Sequence, residues 1–141
     1  DVALEFAMRH GSKLLFTPSC ERIMRTSTFV DLSAFEKVLQ VLVDGFYPML
    51  ADHSRSLKDV EAMLAKIPAS YAGGMSEVTK GKYEQHYFRL YEGEKVDISR
   101  HIKLGRAFDP RYTLRLHFHW DALRAKVVVH HAGEHLPTLS T

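Results

Sequence analysis

Between Arg111 and Leu136 the chain reads RYTLRLHFHWDALRAKVVVHHAGEHL, and six of its nine histidines lie after residue 100. Tyr112, Leu114, Leu116, Phe118 and Trp120 alternate with Arg111, Thr113, Arg115, His117 and His119, the period of a strand with one apolar and one basic face. After a polar turn over 121–126, the run Val127-Val128-Val129 leads into His130 and His131, which predicts an antiparallel hairpin. Imidazole and guanidinium groups on one face are what phosphodiester chemistry without a metal requires. A base and an acid move protons at an RNA 2′-hydroxyl and its leaving oxygen, while cations stabilise the pentavalent phosphate. His117, His119, His130 and Arg115 are therefore the candidate catalytic residues. Arg100, Lys103, Arg106 and Arg111 are the candidate phosphate-binding cations, and Tyr87 is a candidate platform for an unpaired base.

A histidine pair two residues apart on a strand is also how zinc or iron is held in β-rich sites. No HExxH, no paired CxxC and no carboxylate inside the run accompanies these histidines, so no metal and no cofactor are assigned. GxSxG, a phosphate loop and GxGxxG are likewise missing. Pairing across the turn makes a sharper demand. If Leu114, Leu116, Phe118 and Trp120 are buried, Val127 and Val129 join them, and Val128 and His130 fall on the Arg/His face. His131 then points away unless a bulge intervenes.

The elements that must position this hairpin are legible in part. Residues 2–9 favour helix and stop at His10-Gly11. Leu14-Leu15-Phe16 is too short to type by periodicity. Thr17-Pro18 starts a short helix to about Arg25, with Cys20 as a packing residue on it. Ser33 with Glu36 forms a capping box, with Asp31 as an alternative cap. The helix behind it carries Phe35, Val38, Leu39, Leu42, Val43 and Phe46 and ends near Pro48. Ser56 with Asp59 caps another helix, running to Ile67. Residues 69–79 read as a loop around Gly73-Gly74. Tyr83–Tyr91 alternates as a strand, Val96 to Ile102 makes the next, and the hairpin follows. The expected fold is α+β, with N-terminal helices packed on a C-terminal four-stranded antiparallel β-meander. Residues 1–141 form a single domain, 1–68 mainly helical and 80–141 mainly β.

Hydrophobic residues at 45% and charged residues at 26% are ordinary for a soluble globular chain. No stretch is long enough to span a bilayer, and no signal peptide is visible, so no membrane partner is expected. One cysteine cannot close an internal disulfide, which points to a reducing compartment and a cytoplasmic setting. The start at Asp1 rather than Met fits a piece of a larger protein. The net charge of +2 is unevenly spread: 1–79 hold 8 basic and 10 acidic residues, whereas 80–126 hold 11 basic and 6 acidic. The positive excess belongs to the predicted sheet and suits a polyanion, RNA more than DNA.

His101-Ile102-Lys103-Leu104-Gly105, the strand from Arg115 to Asp121, and Gly133-Glu134-His135-Leu136 resemble the C-terminal HLK-G, RxHFxWD and GxHL pattern of a family of uncharacterised bacterial proteins. That resemblance covers about the last third of the chain and implies no activity. The order of helices followed by a meander is similar, at fold level, to the RelE/HigB toxin superfamily, small ribonucleases with basic, His and Tyr residues on the sheet. This chain is longer, ends differently, and matches no catalytic residue one to one. The function expected is a nucleic-acid-directed module, a RelE-like ribonuclease or bacterial defence-system component. The alternative is a non-catalytic interaction or accessory domain that docks a protein partner or a neighbouring domain.

Overall fold

The computed structural model describes residues 2–105 and 109–139, so Arg106 lies outside the described residues. The elements are α1 (Val2–Arg9), β1 (Leu14–Phe16), α2 (Pro18–Arg25), α3 (Leu32–Val41), a π-helical stretch (Leu42–Phe46), α4 (Tyr47–Ala51) and α5 (Leu57–Ala65). They continue with β2 (Ala69–Ala72), α6 (Glu77–Lys82), α7 (Glu84–Tyr87), β3 (Phe88–Tyr91), β4 (Glu94–Asp97), β5 (His101–Leu104), β6 (Leu114–Asp121) and β7 (Lys126–Gly133). No helix among the described residues is long and apolar enough to cross a membrane.

The class is α+β, as expected, but the sheet is not a four-stranded antiparallel meander. Five strands run in the order β1-β7-β6-β5-β2, and β3-β4 form a separate hairpin. Strand β1, from the half expected to be helical, lies parallel to β7, with Leu14, Leu15 and Phe16 beside Val127, Val128 and Val129. Strand β2 falls in the segment expected to be a loop and pairs antiparallel with β5. The strand expected over 83–91 is extended only in its second half, and Glu84–Tyr87 is helix. Ser76 caps α6 by accepting from the Thr79 N–H at 3.2 Å, and only Phe88–Tyr91 is extended. The strand expected from Val96 to Ile102 is split between the two sheets. The Asp97 carboxylate accepts from the Ser99 N–H at 2.7 Å and turns the chain from the hairpin into the main sheet.

The capped helices stand where expected, with Asp31 rather than Ser33 capping α3. Ser56 and Asp59 form the full capping box of α5. The helix ends at Ala51, within a turn of Pro48 as expected. The π-helical stretch shifts the ladder so that the Tyr47 N–H donates to the Leu42 carbonyl, and the chain continues into α4.

The sheet separates two unlike interiors. On its inner face Leu116, Phe118, Val127 and Val129 meet Phe6, Val38, Leu39, Phe46 and Leu64 in one apolar cluster. Phe46 stands edge-on to Phe118, ring centres 5.0 Å apart. On the outer face α2 packs along β7, and α7 with β3 lays Tyr87 and Tyr91 over histidine rings. Gly105, between β5 and β6, holds φ at +79°, and a Cβ there would overlap the Tyr112 carbonyl. Gly105→Ala is expected to cost about 2–4 kcal/mol, from left-handed strain and that clash. Urea unfolding checks it: a loss below about 0.5 kcal/mol would show that the connection is not held as described.

Candidate functional site

Strand pairing arranges the outer face as a small lattice. His101 lies opposite His117, and Lys103 opposite Arg115. On the other side of β6, His117 faces His131 and Arg115 faces Gly133. Residues directly opposite in an antiparallel pair share a face. One row across three strands is therefore all histidine, and the next row begins with two cations.

A bulge extends the histidine set. Phe118 pairs with Val129 and His117 with His131, which leaves His130 as an extra residue in β7. Alternation lapses for that residue. Val127 and Val129 enter the apolar cluster as expected. The expectation that His131 points away is corrected: its ring centre stands 5.7 Å from that of His117, while His130 meets His119.

Three of these rings have their tautomers set by the backbone. His101 Nδ1–H donates to the Ser99 carbonyl, His117 Nδ1–H to Ile98 and His131 Nε2–H to Glu134, each at 2.7 Å. A carbonyl can only accept, so the proton must sit on the named nitrogen. His117 is 2% exposed, stacks on His101 at 4.5 Å and lies under Tyr87, so it does not reach a large substrate. Tyr87 is itself 1% exposed, and its hydroxyl donates to the Pro137 carbonyl at 2.8 Å. A base cannot stack on that ring in this arrangement. Arg89 of β3 lies near His117, His130 and His131 with its Nε buried and without a partner. That guanidinium makes the seam a poor host for a metal cation, and no group of three or more metal-ligating side chains is placed to hold one among the described residues.

His119 and His130 form the second unit. His119 Nδ1 and His130 Nε2 are 2.8 Å apart and share one proton. Tyr91 packs over both rings, at 4.8 and 5.7 Å. The Tyr91 hydroxyl donates to Asp121 at 2.7 Å, and Arg124 donates to the same carboxylate oxygen at 3.2 Å. The pair is thus clamped from above by a chain that begins in the hairpin turn. Burial, then the neighbouring His119, pushes His130 down to about 3. Burial also lowers His119, with Arg100 reinforcing the effect and Asp121 opposing it. Both rings are neutral near neutral pH.

His119 opens onto a groove of about 300 Å³ that also presents Ser99, Arg100, Phe118 and Trp120. The groove exists because β6 outruns its neighbour: the β5 ladder ends at His117, and beyond it only the Phe118 N–H reaches the Arg100 carbonyl. The Arg100 guanidinium lies 5.9 Å from the centre of the Phe118 ring. Of the residues singled out from sequence, His119, His130 and Arg100 thus come together here. Lys103 and Arg115 form a separate pair, and Arg111 is held by Asp109 in a forked ion pair. Asp121 went unassigned in the sequence, and its bond to Tyr91, 30 residues away, is one that no local spacing announces.

No family model, no curated protein and no solved structure matches this chain.

The buried imidazoles make stability depend on pH. Unfolded, they titrate near 6.5, whereas in the fold burial holds His101 at about 4 and His130 at about 3. Below 6.5 the unfolded chain therefore binds more protons. Stability is complete above that value and is lost as pH falls toward the folded values, by about 2 kcal/mol per fully buried ring at pH 5. Urea midpoints measured at about pH 7.5, 6 and 5 should fall steadily. An unchanged midpoint would mean these rings are not held neutral.

Proposed function

We propose that this protein acts on single-stranded RNA as a small, metal-independent ribonuclease of the toxin or defence kind. The observation that carries the reading is the hydrogen-bonded His119–His130 pair, clamped under Tyr91 and opening onto a groove beside the Arg100 guanidinium. Arg100 receives the scissile phosphate, and the half-exposed Trp120 offers an indole face to an unpaired base. With its shared proton on Nδ1, His119 has a free lone pair on Nε2 and takes the proton of the 2′-hydroxyl. The 2′-oxygen bonds to phosphorus, the P–O5′ bond breaks, and O5′ is protonated by water. The products are a 2′,3′-cyclic phosphate and a free 5′-hydroxyl. His130 does not touch the substrate; it orients His119.

A second reading, a protein-interaction or accessory domain, is favoured by one feature on the opposite side of the chain's core. Met24, Phe29, Leu32, Phe35 and Leu39 line a largely apolar groove of about 350 Å³. Light scattering of the isolated chain and of partner mixtures separates the two readings, because the ribonuclease needs no second protein.

The reading predicts that a short unstructured RNA binds with a steep salt dependence. Arg100→Ala should weaken binding and reduce the salt slope by about 0.7. His119→Asn, which can keep the bond to His130 but lacks the outer nitrogen, should leave binding unchanged within about twofold and slow cleavage by about 10²–10⁴-fold. The 2′-deoxy strand should bind without being cut. RNA that fails to bind even at low salt, or that the Asn variant cuts at the wild-type rate, sinks the proposal.

A further inference from the structure

A second cationic centre lies on the same sheet face, about 14 Å along β6 from His119. Lys103 and Arg115 are directly opposite each other across β5 and β6. Their Cβ atoms are therefore about 5 Å apart, a placement in which like charges destabilise a sheet. Several other cations of this region are compensated: Arg111 by Asp109, Arg124 by Asp121 and Glu92, Lys95 by Glu84, and Lys80 by Glu77 and Asp97. Lys103 and Arg115 have no such partner among the described residues. Arg115 is half-buried and oriented: its Nη1 donates to the Thr113 hydroxyl at 2.7 Å and to the Leu114 carbonyl at 3.3 Å. Its Nε–H is buried with no acceptor. A fixed guanidinium with an unused donor, beside an unpaired ammonium, calls for an anion.

The loop after β7 adds a third group. His135 is exposed, and its ring is held below its ordinary pKa first by partial burial, then by Arg115 and Lys103. His101, in the adjacent row, feels Lys103, Arg115 and His135 together. Four basic groups thus converge on one place from three segments of chain, although Tyr87 separates that place from the His119 groove by covering His117.

We infer that Lys103, Arg115 and His135 form a binding site for the phosphate of a phosphomonoester. The charge decides the class. Two permanent positive charges and one ionisable ring match a dianion, whereas a backbone diester would leave one cation uncompensated. Arg115 engages the phosphate through Nη2, the guanidinium nitrogen that is neither hydrogen-bonded nor buried, Lys103 binds another oxygen, and His135 donates from the rim. A free phosphorylated small molecule and the 5′-phosphate end of a nucleic acid share this chemistry. The site stands on its own residues and does not depend on cleavage in the groove.

Thermal unfolding and histidine NMR with inorganic phosphate, against chloride at matched ionic strength, test the site. Phosphate at about a hundredfold excess over its Kd should raise Tm by several degrees and shift the His135 ring resonances. Lys103→Ala and Arg115→Gln should each abolish both responses. Without phosphate, Lys103→Ala should be at least as stable as wild type, because a like-charge contact is removed. The idea fails if chloride reproduces the Tm rise, if the variants keep it, or if Lys103→Ala lowers Tm in phosphate-free buffer. The source is read by competition: a 5′-phosphorylated oligonucleotide that displaces phosphate at least tenfold better than its 5′-hydroxyl form assigns the nucleic-acid end. Equal displacement by the two forms assigns a small phosphorylated ligand.

Discussion

Four imidazole rings, those of His101, His117, His130 and His131, lie between the main sheet and the layer that covers its outer face, and a ring held there must stay neutral. Charging one without a nearby carboxylate would leave an ion away from water, which costs several kcal/mol. The covering layer depends on that neutrality. Tyr87, Arg89 and Tyr91 all project from one short segment onto the rings, and Arg89 brings a half-buried guanidinium with it. Protonated histidines beneath it would repel it. The outer seam is thus a polar layer held in one charge state, whereas the inner face is an ordinary apolar core.

Neutrality is enforced unevenly, and the difference separates structural from reactive rings. His101, His117 and His131 each give a proton to a backbone carbonyl and pack against one another. Their hydrogen bonds bind the sheet to the segments that flank it. His119 gives its inner nitrogen to His130 and keeps its outer edge at a groove. This half-exposed ring combines a fixed orientation with an open side, which is what a proton-transfer group requires. The Arg124–Asp121–Tyr91 chain that clamps it ties the hairpin turn between β6 and β7 to the end of β3.

The unequal lengths of neighbouring strands create both candidate sites. Strand β6 has eight residues and β5 has four. Where β6 outruns β5 the groove opens beside His119; where the two strands overlap, Lys103 and Arg115 are forced together. Gly133 opposite Arg115 keeps that row low enough for α2, since a Cβ there would come within 2.7 Å of Ile23. The geometry that seats one helix therefore also leaves the guanidinium without a cross-strand partner.

The sequence by itself determined the α+β class, the capped helices, the β6–β7 hairpin and the two faces of β6. All of these follow from local rules, because side-chain alternation and capping hydrogen bonds act within a few residues. It also placed His119, His130 and Arg115 on one face of the sheet, since period-2 patterning survives without knowledge of partners. Tertiary structure decided the rest. Leu14–Phe16 and Ala69–Ala72 became strands only because β7 and β5 offered them unpaired edges, and three or four residues carry too little pattern to announce that. The first half of the alternation of 83–91 gave way to helix over Glu84–Tyr87, which sets Tyr87 over His117, a contact 30 residues away. The bulge at His130 was beyond a register argument that assumed unbroken alternation. One extra residue changed which histidines meet, and that depends on how two strands fit, not on what either strand prefers.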